Sequence, residues 1–230
     1  MRTHSTLLCS VLCIILVSTA CKKSADKSET TAAPAATPSA ASAPAAPAAP
    51  ASGAADSGAT AETTAKLAAA EWAIKQDEIK NDASGQWAIA VTASSTYNDA
   101  KGTASFSANQ VTGAPNVDKY GDSGDAWAPK TPDAGIEWLD LKYPKPVYAT
   151  AVRVRESCGS GAVIKIELFD EQGVAHTAWA GNDPTTDLNY LMVNIPKTPY
   201  KTARVKITLA TNVVPGWNEI DAVQLVGSDN

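Results

Sequence analysis

The sequence contains few of the residues on which catalytic centres are built. It has two histidines in 230 residues, and His4 lies in the extreme N-terminal segment. A Ser–His–Asp or Cys–His centre would have to use His176, which lies in an alternating stretch typical of an exposed strand position. The short motifs of zinc proteases, serine hydrolases and phosphate-binding loops are absent from the sequence. We therefore predict that the protein is not an enzyme.

Cysteine and positive charge are also scarce. Cys9, Cys13 and Cys21 lie within the first 21 residues, which leaves Cys158 alone in the remainder. One cysteine cannot form a disulfide framework, so the folded part must be held by its core. Lysine and arginine total 19 against 24 acidic residues, for a net charge of -5. Nucleic-acid-binding surfaces normally need a basic stripe, so we expect no nucleic-acid partner.

The first 21 residues have the pattern of a signal peptide. Arg2 precedes an apolar run at residues 7–17, and small residues then lead to Cys21. The apolar run is too short to cross a bilayer. The segment Val-Ser-Thr-Ala-Cys at residues 17–21 resembles the lipobox of bacterial lipoproteins, in which the cysteine is acylated. This resemblance implies a lipoprotein that carries palmitate or related chains on Cys21 and is stably anchored to a membrane.

The residues around the cysteine bear on the location of the protein. Ser18 stands where lipoboxes usually have an aliphatic residue, and the alternative is an ordinary secretory signal cleaved near Ala20. Lys22 and Lys23 follow Cys21 without an intervening aspartate. By resemblance to enterobacterial sorting, this favours the outer membrane. We predict a lipid-anchored protein of the bacterial cell envelope, with the outer membrane favoured.

Residues 22–61 are rich in alanine and proline and have almost no large apolar side chains. A segment of this composition cannot bury enough surface to offset the entropy of ordering, so we predict a disordered linker. From residue 62 to residue 80 the spacing becomes helical, with Trp72 and Ile79 expected to face inward. The connection then ends at residue 85. This helix either packs on the following domain as a lid or binds a partner, and the sequence leaves both open.

Residues 86–230 are predicted to form a single β-rich domain. Leu139 and Leu141 alternate with charged residues, which places the apolar side chains on one face of a strand. Pro144 and Pro146 mark a break between two strands. Short strands at regular spacing predict an antiparallel β-sandwich. The predicted strands are 87–93, 136–143, 147–156, 162–169, 174–180, 189–195, 202–210 and 219–226.

Several short motifs make this prediction more specific. They are SANQVTGAPN at residues 107–116, AWAP at 126–129, EWLDLKY at 137–143 and WNEIDAVQLVG at 217–227. Their order resembles the discoidin, or coagulation factor 5/8 type C, superfamily, in the version found in bacterial envelope proteins and in a eukaryotic F-box leucine-rich-repeat protein. The resemblance covers roughly residues 86–227. It implies an all-β fold, an antiparallel jelly-roll β-sandwich of the galactose-binding-like type.

The resemblance also implies a ligand site in the loops at one end of the sandwich. Glycans are held there by aromatic faces together with polar and charged side chains. The alternative for each tryptophan is a place in the core. The candidate ligand-binding residues are Tyr97, Tyr120, Asp125, Trp127, Arg155 and Trp217.

A structural calcium ion is implied by the same resemblance. Members of the superfamily hold it between an early loop and a glutamate near the last strand, which correspond here to Asp118 and Glu219. Calcium needs several oxygen ligands at once. The alternative is that Glu219 accepts backbone N–H bonds and caps a loop.

These features lead to three hypotheses about function. The first is a lipid-anchored envelope protein that presents a non-catalytic, carbohydrate-binding module, with a glycan or another envelope component as its partner. The second is a protein–protein interaction or scaffolding domain at the envelope. The third is a hydrolase with an unrecognised site, which would have to place His176 or paired carboxylates in a cleft.

Overall fold

The computed structural model describes residues 56–98 and 104–230, with side chains from residue 60 onward. The predicted signal peptide, the acylation site Cys21 and most of the predicted linker lie outside the described residues. No helix within the described ranges is both long enough and apolar enough to cross a membrane.

The described chain consists of one helix followed by strands. Helix α1 spans Asp56–Lys80 and therefore begins before residue 62, the predicted start. The first predicted strand is divided into two strands in the structure. For the later strands, the observed first and last residues lie within three residues of the predicted ones, apart from the break predicted at residues 144–146. The strands are β1 (Gly85–Trp87), β2 (Ala90–Ala93), β3 (Ile136–Cys158), β4 (Val163–Asp170), β5 (Ala175–Ala180), β6 (Asn189–Asn194), β7 (Lys201–Ala210) and β8 (Glu219–Ser228).

Strand β3 is the element around which both layers are built. Its first half pairs with β2 and β7, and β7 continues through β4 to β5. Its second half pairs with β6 and β8, and β8 pairs with β1. Every one of these pairings is antiparallel, which confirms the predicted antiparallel sandwich.

The sequence predicted two strands separated at Pro144 and Pro146, and this prediction is wrong. The chain passes through both prolines as one strand, and the pairing of β3 with β7 shifts register between Lys142 and Val147. Proline cannot donate a ladder hydrogen bond, so it is tolerated at such an irregularity. The two predicted strands are thus two halves of one bent strand.

The core lies between the two halves of β3. Leu139 and Leu141 from the first half and Val152 and Val154 from the second are completely buried in a single apolar cluster. Strands β4, β6, β7 and β8 also contribute apolar side chains to this cluster, and those of β7 are the alternate residues Val205, Ile207 and Leu209. The period of two in the sequence therefore identified the inward-facing side chains correctly.

Helix α1 contacts the sandwich through its last turns. Ile79 is buried, and its carbonyl accepts a hydrogen bond of 2.8 Å from Nε2 of Gln224. Just beyond the helix, Asp82 forms an ion pair of 2.8 Å with Arg153. Trp72 is 37% exposed, although the sequence predicted that it faces inward. The helix therefore packs at its C-terminal end and leaves most of its surface open.

Arg155 lies beneath the helix, and its candidacy for ligand binding is corrected. Its guanidinium lies 5.6 Å from the ring centre of Trp72 and 5.0 Å from that of Tyr190. It also pairs with the buried carboxylate of Asp221 at 3.6 Å and contacts Gln76. Arg155 is 4% exposed, so its contacts fasten the helix to the sheet.

Candidate functional site

A small pocket lies at the end of the sandwich where β3 finishes and β8 begins. Glu219 is the first residue of β8 and is paired in register with Cys158, the last residue of β3. The pocket has a volume of about 120 Å³. We call it the aromatic pocket, and it is lined by Tyr97, Phe106, Asp122, Ala128, Trp217 and Glu219.

Three aromatic rings stand nearly at right angles in this pocket. The ring centre of Tyr97 lies 5.4 Å from that of Phe106, with 74° between the ring planes. It lies 5.3 Å from that of Trp217, with 86° between the planes. Edge-to-face contacts of this kind stabilise the arrangement of the rings. Tyr97 is nevertheless 57% exposed, so its ring is accessible to a ligand.

Backbone contacts hold two of the rings in place. The N–H of Tyr97 donates to the carbonyl of Ala128 at 2.9 Å, and the N–H of Phe106 donates to that of Gly124 at 2.9 Å. Phe106 has a φ of 62°, in the left-handed region that residues other than glycine rarely adopt. Strained backbone of this kind persists where surrounding contacts impose it, and it is enriched at ligand sites.

Trp217 is held by a close approach of two loops. A Cβ atom on Gly159 would lie 2.2 Å from the carbonyl oxygen of Trp217, so only glycine allows this contact. The side chain of Asn218 donates to the carbonyl of Gly159 at 2.7 Å. The N–H of Gly159 donates to the hydroxyl of Tyr120 at 3.2 Å. Gly159 thus connects the loops that carry Tyr120 and Trp217.

Two carboxyl groups form the polar wall of the pocket. Glu219 is 1% exposed, and its Oε2 accepts a hydrogen bond from the N–H of Ser123 at 3.1 Å. Its Oε1 receives no hydrogen bond from any N–H or hydroxyl of the described residues. Burial and a hydrogen bond with the neighbouring carboxyl of Asp122 raise the pKa of Glu219 to about 8. Near neutral pH Glu219 therefore keeps a proton, through which the two carboxyls are hydrogen-bonded.

A second buried carboxyl lies close to this end of the sandwich. Glu156 is 1% exposed, and its Oε2 accepts a hydrogen bond of 2.8 Å from the N–H of Gly161. Burial, together with the charge of Asp183 and a hydrogen bond to it, raises the pKa of Glu156 to about 9. Asp183 itself accepts from the N–H of Thr185 at 2.9 Å. This pair fastens loops and does not line the aromatic pocket.

The structure brings two of the predicted ligand residues together and separates the others. Tyr97 and Trp217 line the aromatic pocket. Tyr120, which is 49% exposed, and Asp125 line an adjoining open groove. Trp127 is completely buried, and its indole N–H donates to the carbonyl of Ser95 at 3.0 Å, so its candidacy is corrected to a core position.

The two residues of the calcium prediction make different contacts in the structure. Asp118 is an exposed residue whose charge acts on Asp221, whereas Glu219 is paired with Asp122. Among the described residues, no group of three or more histidine, cysteine, aspartate or glutamate side chains is arranged to hold a metal ion. Glu219 instead accepts a backbone N–H bond, as in the alternative interpretation.

The predicted ligand-binding residues did not include Phe106 or Asp122. Asp122 lies in a glycine-rich loop with three aspartates, and nothing in its spacing distinguishes it from Asp118 and Asp125. Phe106 carries no local signal, since its place in the pocket depends on a positive φ and on contacts with distant segments.

The residues considered for catalysis, His176 and Cys158, do not line the aromatic pocket. His176 contacts the carboxylate of Asp170 at 2.9 Å and stacks on Tyr200, with 4.1 Å between the ring centres. Cys158 is a free, half-buried cysteine. Burial and the carboxyls of Glu219 and Asp122 raise the pKa of its thiol, which disfavours the nucleophilic thiolate.

The model of the Pappalysin-1 SD scarf domain, C-terminal, matches residues 76–230, from the last turns of helix α1 to the end of the chain. The chain belongs to this family. The family differs in name from the discoidin superfamily, to which the sequence motifs were compared. No curated protein matches the chain.

Solved structures with similar folds have diverse descriptions. Chitosan-binding module 1 from a chitosanase/glucanase of Paenibacillus sp. IK-5 has 15% identity and a TM-score of 0.45, over 60% of this chain and 94% of that chain. A pectin-binding carbohydrate-binding module has 19% identity and a TM-score of 0.43, over 61% and 91%. XRCC1 bound to the DNA pol beta catalytic domain has 13% identity and a TM-score of 0.47, over 62% and 98%. At these scores the similarities carry no argument about what this chain binds.

Proposed function

We propose that this member of the Pappalysin-1 SD scarf family is a non-catalytic binding module, held at the bacterial cell envelope by a lipid anchor, and that its ligand is a glycan. The observation that supports this proposal is the aromatic pocket. Binding sites are typically concave, mostly apolar and equipped with a few convergent polar groups. The aromatic pocket has this composition, with rings that suit the C–H faces of a sugar and carboxyls that accept from its hydroxyls.

The carboxyl pair in the pocket suits binding better than hydrolysis. Glycosidases use two carboxyl groups at least about 5 Å apart, so that one protonates the leaving oxygen while the other acts on the opposite side of the bond. Glu219 and Asp122 instead share a hydrogen bond with each other. In this arrangement they cannot flank a glycosidic bond, and the proposal therefore assigns no reaction to them.

The direct test is a glycan-binding screen with the purified full-length protein in mild detergent, with and without calcium. We expect binding of a glycan that is lost in Trp217→Ala and retained in Trp72→Ala, a control on the partly exposed tryptophan of helix α1. Binding that required calcium would revive the prediction for Asp118 and Glu219. Binding that persisted in Trp217→Ala would refute the assignment to this pocket.

The lipid anchor is a separate part of the proposal and rests on the lipobox-like segment that ends at Cys21. Labelled palmitate should be incorporated into the wild-type protein during expression in a Gram-negative host, and Cys21→Ser should abolish the incorporation. Outer-membrane fractions should contain the wild-type protein. Recovery of an unlabelled wild-type protein as a soluble periplasmic species would favour the ordinary secretory signal.

The second candidate function is a scaffolding domain, and helix α1 favours it. Leu67 is 61% exposed and Ile74 is 59% exposed, so the helix presents apolar side chains outside its contact with the sandwich. Cross-linking in intact cells should then recover a specific partner with the wild-type protein. That partner should be lost in a Leu67→Lys, Ile74→Lys double variant and retained in Trp217→Ala.

A further inference from the structure

We propose that the aromatic pocket selects ligands that carry an ammonium group, and that the glycan it binds is therefore an amino sugar with a free amine. This inference rests on the proposed glycan-binding function and adds the charge of the ligand to it. Three features of the pocket support it: the charge of its wall, the accessible carboxyl oxygens of Asp122, and the orientation of its rings.

The described residues that line the pocket carry charge of one sign. Asp122 and Glu219 contribute carboxyls, and none of the described residues that line the pocket is basic. An acidic sugar would bring a second negative charge against this wall without a partner. Like charges brought together at a binding site are strongly unfavourable, so the pocket rejects anionic sugars.

The acceptors of the wall are the carboxyl oxygens of Asp122 and Glu219. Glu219 is 1% exposed and is hydrogen-bonded to Asp122 and to the N–H of Ser123, whereas Asp122 is exposed. The oxygens of Asp122 are therefore the ones that a ligand can reach. An ammonium group has donors and no acceptor, so it fits these oxygens better than a hydroxyl, which brings its own lone pairs.

The rings provide the remaining walls. Tyr97 stands at 74° to Phe106 and at 86° to Trp217, so the rings present faces in different directions around a small volume. Aromatic faces attract cations, and sets of perpendicular rings are a recurrent means of holding an ammonium group. The volume of about 120 Å³ admits a head group or the edge of one sugar rather than a whole oligosaccharide.

The test compares three oligosaccharides of equal length with the full-length protein, by calorimetry in an acidic buffer in which the amine is protonated. The first carries free glucosamine units, the second N-acetylglucosamine and the third glucuronic acid. We expect the glucosamine oligomer to bind at least about tenfold more tightly than the acetylated one, since a charge-assisted hydrogen bond is lost on acetylation. The glucuronic acid oligomer should not bind.

Matched variants locate the effect. Asp122→Asn should weaken binding of the glucosamine oligomer about tenfold and remove its advantage over the acetylated one. Glu171→Gln removes one carboxylate charge from an exposed residue that does not line the pocket, and it should leave the affinity unchanged. Asp122 and Glu171 are both exposed, so folding of the variants is expected and is checked by circular dichroism.

The outcomes separate this inference from the proposed function. If the acetylated or the acidic oligomer binds as tightly as the glucosamine oligomer, and Trp217→Ala abolishes that binding, the ammonium inference is wrong and the glycan-binding function stands. If no oligosaccharide binds, trimethylammonium and uncharged tert-butanol are compared by NMR titration. Binding of the cation alone, lost in Asp122→Asn, would support the inference and reject a glycan as the ligand. Binding of neither would reject both.

Discussion

The buried carboxyl of Glu156 predicts an unusual dependence of stability on pH. Its pKa is raised from an ordinary value of 4.5 to about 9, chiefly because burial penalises the charged form. Between these two values the folded protein keeps a proton that the unfolded chain releases. Stability that this group contributes is complete below about pH 4.5 and is lost as the pH rises toward 9.

The size of the effect follows from proton linkage. One group that is protonated when folded and ionised when unfolded lowers the free energy of unfolding by about 1.4 kcal/mol per pH unit. Between about pH 5.5 and 8.5 this amounts to a ceiling of about 4 kcal/mol. For a domain of this size, that corresponds to a fall in melting temperature on the order of 10 °C.

The variant Glu156→Gln should remove the contribution of Glu156 to this slope. The amide keeps an oxygen that accepts from the N–H of Gly161 and gains an N–H that donates to Asp183, so both contacts of the protonated acid are preserved. We expect the melting temperature of the variant, followed by tryptophan fluorescence, to fall much less than that of the wild type over the same pH range. Glu171→Gln, at an exposed position, is the control and should behave as the wild type.

A Glu156→Gln variant whose melting temperature follows the wild-type slope would refute the reasoning. A wild-type protein that loses no stability below pH 9 would refute it as well. That result would mean that the folded and unfolded states release the proton of Glu156 at the same pH. Part of the slope should remain in the variant, because Glu219, with a pKa raised to about 8, acts in the same direction.

Three further predictions concern other contacts near the site and the helix. Arg155→Met should lower the free energy of unfolding, measured in urea, by about 3–5 kcal/mol, because the buried carboxylate of Asp221 loses its ion pair. The control is Arg204→Met. The side chain of Arg204 is 43% exposed in its pair with Asp140, so this variant should cost at most about 1 kcal/mol. Equal losses would contradict the structural role of Arg155. Gly159→Ala should destabilise the protein by about 1–3 kcal/mol and weaken ligand binding, because the new methyl group displaces Trp217. The control Gly173→Ala meets open space and should lower stability by no more than about 1 kcal/mol, without an effect on binding. The stability of Glu219→Gln relative to the wild type should increase as the pH rises from about 5 to 9, because only the wild type has a carboxyl that must keep a proton in the folded state. Thermal unfolding measures this, and a difference in melting temperature that is the same at both pH values would contradict the raised pKa of Glu219.

The strands could be predicted from the sequence because their signal is local. Leu139, Leu141, Val152 and Val154 are read from a period of two within a few residues, and burial of one face follows directly. The bend that makes β3 one strand could not be read this way. Pro144 and Pro146 argue against a regular ladder, but whether the chain turns back or continues through a register shift depends on where β7 lies.

The candidate site was only half predictable, for a similar reason. Aromatic residue types in loops identified Tyr97 and Trp217, but the same argument chose Trp127. The difference is that the indole N–H of Trp127 finds the carbonyl of Ser95, so the whole ring can be buried at no cost in hydrogen bonds. Composition reports which side chains can bind a ligand, and only the tertiary structure decides which of them remain open.

The distribution of buried polar groups separates the two roles of this domain. Between the sheets the buried residues are largely aliphatic, whereas Glu156 and Glu219 occupy the end where β3 and β8 meet. Both carboxyls raise the energy of the folded state above about pH 5, and a sandwich needs neither for its core. Glu156 accepts the N–H of Gly161 and is paired with Asp183 outside the aromatic pocket, so it is used within the fold. Glu219 is held in the same way by the N–H of Ser123 and by Asp122, but this second pair lines the aromatic pocket, so its cost in stability places carboxyl groups where a ligand can reach them.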